Sequence, residues 1–261
     1  MRQRINVFAK GNVDLHDSLL YARVGGQVVW NGLGPLVSER HPGTTVRVRH
    51  ECCSRSDTML VAGGIPQELE SRHLPFTAHP LTSQFETELL SVEVDAIILS
   101  ILPDVMNSLV RHPREGYRFY PEGWERWPPE DQTWLRRTFV PEPPLSPDES
   151  MTSLANVIRA VRARRSTPVL VYNMSSIVPG ERIRSYAADV DECLSVRIRR
   201  FNLALVELSR QLDVPIVDVD AIVARAGADR TKVDVVHLTG EGHGLVAAEV
   251  RDTLEDLGLF G

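Results

Sequence analysis

The run Val94-Asp95-Ala96-Ile97-Ile98-Leu99-Ser100 is apolar almost without interruption. A strand with no polar alternation has to be covered on both faces, the condition of a strand inside a parallel sheet. Ile5-Asn6-Val7-Phe8-Ala9 and Thr44-Thr45-Val46-Arg47-Val48-Arg49 read as earlier strands, and Thr167–Val171 and Val214–Val219 as later ones. Helical patterns fall between them. Ser18–Arg23 reads as a brief helix stopped by Gly25-Gly26, and Trp30–Glu39 as a mixed apolar segment. Ser146-Pro147-Asp148-Glu149 marks a helix start, with a capping serine, proline at the first helical position and glutamate three residues on. Leu154, Val157, Ile158 and Val161 follow on one face. Ile183–Leu212 reads as a long helix with Leu194, Ile198, Phe201, Leu205 and Leu208 inward, and Thr239 caps a last helix carrying Leu245, Val246, Val250, Leu254 and Leu257. Strand and helix in turn imply an α/β three-layer sandwich around a central parallel sheet, which binds ligands at the carboxyl ends of its strands.

At 261 residues, 43% hydrophobic and 25% charged, the chain can build one large core. We expect a single domain over residues 1–261, with a lid-like insertion at about 111–148. That stretch is rich in proline and aromatics, Tyr117, Phe119, Tyr120, Trp124, Trp127 and Trp134 among them, and reads as either substrate cover or a satellite hydrophobic cluster. A net charge of −6 argues against nucleic acid or an anionic membrane as partner and leaves small molecules. Cys52, Cys53 and Cys193 read as reduced thiols, and the first residues run straight into a strand, so a cytoplasmic location is expected. Neither a metal nor another cofactor is expected: no cysteine and histidine cluster has ligand spacing, and no glycine-rich phosphate loop occurs.

The sharpest chemical signal is Val233-Asp234-Val235-Val236-His237-Leu238-Thr239-Gly240-Glu241-Gly242-His243. Asp and His three residues apart on a turn let the carboxylate hold one ring nitrogen while the other takes a proton. Asp234 is the expected orienter and His237 the base, with His243 a packing or capping residue.

This block resembles the last conserved block of the SGNH/GDSL hydrolases, Asp-x-x-His-Leu before a Gly-His helix start. The resemblance implies a flavodoxin-like fold, a serine nucleophile on the first block and oxyanion donors on the second and third. His16-Asp17-Ser18-Leu19 is similar to the family's Gly-Asp-Ser-Leu, which makes Ser18 the candidate nucleophile. In a competing register Gly11-Asn12-Val13 fills the turn after the first strand, Val13 stands where the nucleophile would be, and Asn12 or Asp14 binds substrate. The second block matches at Cys52–Thr58, with Ser56 where the family's glycine supplies a backbone N–H. The third reads Leu102-Pro103-Asp104-Val105, without the family's asparagine, so that Asp104 or Asn107 takes that place. Asn173 ends a strand on the ligand side and is a candidate substrate contact. The resemblance implies an esterase or acyltransferase acting on a small-molecule ester, acyl or sugar compound. The alternative is a divergent SGNH-fold protein without the nucleophile, either a non-hydrolytic biosynthetic enzyme or a small-molecule-binding protein.

Overall fold

The structure, a computed structural model, describes residues 3–60, 63–179, 181 and 192–260. Among the described residues ten strands appear in chain order: β1 (Gln3–Gly11), β2 (Ala22–Val24), β3 (Gln27–Trp30), β4 (Thr44–Cys52), β5 (Ala96–Ser100), β6 (Val110–Arg111), β7 (Arg118–Phe119), β8 (Val140–Pro141), β9 (Val169–Tyr172) and β10 (Ile216–Val217). Five of them form the central sheet, in the order β10-β9-β5-β1-β4, and every neighbouring pair is parallel. Counted along the chain, these five stand in the doubly wound order 2-1-3-4-5, whose switch point lies between β1 and β5.

Why the strands are apolar on both sides follows from the two cores. Phe8, Ile97, Leu99, Val169 and Val171 face one core, under the helices Pro147–Arg162 and Leu194–Leu212. Val7, Ala9, Ala96, Ile98 and Leu170 face the other, under Val13–Leu19, Leu33–Arg40, Val219–Ala226 and Gly240–Asp256. Neighbours in a strand point to opposite faces, so two covered faces require an unbroken apolar run. Ser146 caps its helix as expected, accepting from the Glu149 N–H while Glu149 accepts from the Ser146 N–H.

Three expectations need adjusting. The first helix starts at Val13, not Ser18, because Asn12 caps it, and it ends at Leu19. Gly25 and Gly26, at φ 57° and 84°, turn the hairpin between β2 and β3 instead of stopping a helix. The last strand ends at Val217, where the Asp218 side chain accepts from the Ala221 N–H and caps the next helix. Leu194–Leu212 is helical as read, whereas residues 183–191 of that expected helix lie outside the described residues.

The 111–148 stretch is not an open loop. It carries the antiparallel sheet β7-β6-β8 and the helix Pro129–Thr138. Phe119, Trp127, Leu135 and Phe139 pack with Leu69, Leu74 and Phe85 into a third cluster, apart from the two sheet cores. Among the described residues no helix is long and apolar enough to cross a membrane.

Candidate active site

The loop before the last helix is tied down at its base. Val233 N–H donates to the His237 carbonyl at 2.9 Å, Thr239 N–H to the Thr231 carbonyl at 2.9 Å, and Lys232 bridges antiparallel to Leu238. The Lys232 ammonium is buried against Glu181 at 2.7 Å and the Ser176 carbonyl at 2.8 Å, which anchors the loop to the chain beyond β9. Within this turn Asp234 Oδ1 accepts from the His237 ring Nδ1 at 2.8 Å, from the His237 N–H at 2.9 Å and from the Val236 N–H at 3.0 Å. Burial pushes the Asp234 carboxyl upward, but these donors outweigh it and hold its pKa below the usual carboxylate value. An ionised Asp234 on Nδ1 leaves the Nε2 lone pair outward. The His237 side chain is 48% exposed, and Nε2 hydrogen-bonds to no described residue. The two side chains are therefore in direct hydrogen-bond contact, with their roles as base and orienter an expectation.

The end of β1 decides the register of the first block. Gly11 is the last strand residue, and a Cβ there would lie 2.6 Å from Leu15 Cδ1 and 3.0 Å from Ser100 Cβ, so glycine is needed for β1, its helix and β5 to close together. Asn12 Oδ1 accepts from the Val13 N–H at 3.0 Å, and its amide Nδ2 hydrogen-bonds to no described residue. Val13 opens the helix, two residues beyond the end of the strand. Ser18, the expected nucleophile, lies a full turn further on and is wholly buried. Its hydroxyl donates to the Asp14 carbonyl at 2.6 Å and sits 3.2 Å from the Tyr172 hydroxyl. Helix periodicity places Ser18 beside Leu15 and Leu19 on the core side, so a substrate carbonyl cannot reach it.

The second and third blocks are likewise structural here. Asp104 is 1% exposed and accepts from the Ser56 N–H at 2.6 Å, from the Ser56 hydroxyl at 2.5 Å and from the Ser150 hydroxyl. The Ser56 N–H is thus engaged by a side chain, not open to an oxyanion. Desolvation raises the Asp104 pKa. Asn107 Nδ2 donates to the Ser54 carbonyl at 2.7 Å inside the protein. Asn173 Nδ2 donates to Asp218 Oδ1 at 2.7 Å and its Oδ1 accepts from the Asp220 N–H at 3.2 Å, which fastens the end of β9 to the start of the helix Val219–Ala226. Asn173 also lines a small cavity behind the Asp234–His237 loop.

The competing register offered Asp14 as a substrate contact, and this residue lies just behind the carboxyl end of β1. Asp14 lines that cavity of about 30 Å³ with Asn173, Val236 and His243, accepts from the Asn12 N–H at 3.1 Å and from the Ser100 hydroxyl, and has its pKa raised by desolvation. The only signal in the sequence was its place one residue after the strand-end turn. His243 is buried with Nε2 4.0 Å from Asp17, and burial lowers its pKa to about 4, which fits a neutral packing residue. Among the described residues no group of three His, Cys, Asp or Glu side chains could hold a metal ion.

No family model matches the sequence, and no curated protein does. Solved structures do match. A GDSL-like lipase from Parabacteroides merdae aligns with 99% of this chain and 98% of its own at 13% identity and a TM-score of 0.53. An acetyl-xylooligosaccharide esterase from Geobacillus Stearmophilus aligns over 99% and 97% at 12% identity and 0.51. An α/β hydrolase enzyme from the metagenome of Lake Arreo, Spain, aligns over 100% and 98% at 11% identity and 0.52. The α/β fold expected from the sequence is the fold of these proteins.

Proposed function

We propose that this chain, with the fold of the SGNH/GDSL hydrolases, is a divergent member of that superfamily and acts on a small-molecule ester or acyl compound without a serine acyl-enzyme. One observation supports this reading: Asp234 holds Nδ1 of the half-exposed His237 ring, while Val13 opens the helix behind β1 and Ser18 is sealed in the core. His237 takes a proton from a water molecule or a substrate hydroxyl, and the oxygen attacks the carbonyl carbon as that O–H bond breaks. Asp234 stabilises the imidazolium so formed. His237 then returns the proton to the leaving oxygen as the carbonyl re-forms, so acid and base are one residue. Attack by water gives hydrolysis, and attack by an alcohol gives acyl transfer. The free Nδ2 of Asn12 is the donor we assign to the developing oxyanion, in place of the engaged Ser56 N–H. We read residues 1–261 as one domain, with 111–148 as an appendage instead of a cover.

The test is a panel of nitrophenyl esters with three variants. His237→Ala is expected to lose about 10³-fold or more in turnover with its melting temperature unchanged, and Ser18→Ala to keep turnover within about threefold. Fluorophosphonate is expected to leave Ser18 unlabelled. Val13→Ser places a hydroxyl at the strand-end position and is expected to gain labelling there. A labelled Ser18, or normal turnover by His237→Ala, overturns the proposal. Saturable binding of an ester without any turnover in the wild type supports a binding protein instead.

A further inference from the structure

The helix Leu194–Leu212 buries Leu194, Ile198, Phe201, Leu205 and Leu208 against the sheet, as an amphipathic helix should. Its outer face departs from the rule. Leu203 is 71% exposed, Val206 50% and Val196 47%, in a stripe spaced by seven and three residues along one side. Charges flank this stripe in an ordered way. Arg199 lies four residues before Leu203 and Glu207 four after it; Arg200 and Val206 lie three residues to either side, Val196 and Arg210 seven. Rotation by 180° about an axis through Leu203 therefore sets each position on its complement.

We propose that this face is a homodimer interface, occupied by the same helix of a second copy running antiparallel. In that arrangement Leu203 meets Leu203 of the second copy at the twofold axis. Arg199 meets Glu207 twice, once on each side. The aliphatic stems of Arg200 and Arg210 cover Val206 and Val196. Such a contact is isologous and closes at two copies, so it yields a dimer and not a filament. Arg199 has no ion-pair partner among the described residues, whereas Arg200 pairs with Glu192 at 2.7 Å and Glu207 lies 3.5 Å from Arg210 on its own helix, so the twofold supplies Arg199 with a carboxylate that Arg210 holds only at long range. A contact made by one helix pair falls below the area of standard stable interfaces, which makes the dimer weak and concentration-dependent.

Sedimentation velocity on the full chain tests this. The wild type is expected to move from 29.2 kDa toward twice that mass as its concentration rises through the micromolar range. Arg199→Glu sets glutamate on glutamate, and Glu207→Arg sets arginine on arginine; each is expected to raise the dissociation constant about tenfold or more. Mixing these two single variants pairs opposite charges at both positions of the heterodimer, and the double variant does so in the homodimer. Both are expected to return to within about threefold of the wild type. Arg199 and Glu207 are both exposed, and an unchanged melting temperature confirms folding in each variant. A wild type that stays monomeric to about 0.5 mM overturns the proposal. So does a dimer indifferent to the single changes or not rescued by the mixture.

Discussion

Replacing Asp104 separates a scaffold role from a catalytic one. Its carboxylate sits at 1% exposure where the 102–106 helix, the turn at Ser56 and the 147–162 helix meet, and it accepts from the Ser56 N–H, the Ser56 hydroxyl and the Ser150 hydroxyl. Asp104→Ala removes all three acceptor contacts. A buried donor left without an acceptor costs about 1–3 kcal/mol. The backbone N–H cannot move, but the two hydroxyls can turn, so the total falls near the lower end, at about 3–5 kcal/mol. In a chain of this size that lowers the melting temperature by about 6–15 °C. Asp104→Asn keeps one carbonyl acceptor and the same shape, and a loss of about 1 kcal/mol is expected. Desolvation raises the Asp104 pKa in the folded state, so the folded protein holds this proton at pH values where the unfolded chain has released it. The associated stability is fully present below pH 3.8 and is lost as pH rises through the folded pKa. Asp104→Asn, which mimics the protonated acid, is expected to lack that decline. Urea midpoints of the wild type and both variants across pH 4–8, beside ester turnover, decide the matter. An Asp104→Ala protein with unchanged midpoint and lost turnover would falsify the scaffold role.

Gly11→Ala forces a Cβ against Leu15 Cδ1 and Ser100 Cβ, and about 1–3 kcal/mol of stability should disappear by urea titration. His243 is neutral in the fold with its pKa lowered to about 4. Its contribution is complete above the unfolded value of 6.5 and is lost as pH falls toward 4, so His243→Phe is expected to flatten the acid side of the stability curve. Asp234→Asn keeps an acceptor near the ring but removes the charge that stabilises the imidazolium, and turnover is expected to fall about 10²-fold or more with the melting temperature nearly unchanged.

The sheet was legible because both faces of each inner strand are covered, and a run such as Ala96–Ser100 has only one environment to suit. The Asp234–His237 pair was legible for a different reason: both partners lie in one turn, so sequence spacing is the geometry. The first block was harder. His-Asp-Ser-Leu matches a motif locally, but Ser18 falls one residue before Leu19 and three after Leu15 on a helix that begins at Val13, and that phase points it inward. The cap at Asn12 was the clue, outweighed by the glycine pair downstream. Ser56 and Asp104 are 48 residues apart, and no local pattern announces that one would consume the other's acceptor sites.

The aromatic unit between β6 and β8 closes its apolar contacts on itself and on residues 65–85. It is joined to the rest by polar ties, among them Arg118 to the Asp57 carboxylate at 2.5 Å and to the Asp57 carbonyl at 3.1 Å. Such an attachment makes the unit interchangeable. Relatives sharing the same sheet could carry a different appendage at this point, grafted onto the same two anchors, and their versions could diverge in size and sequence at a pace unconnected with that of the proton-transfer loop.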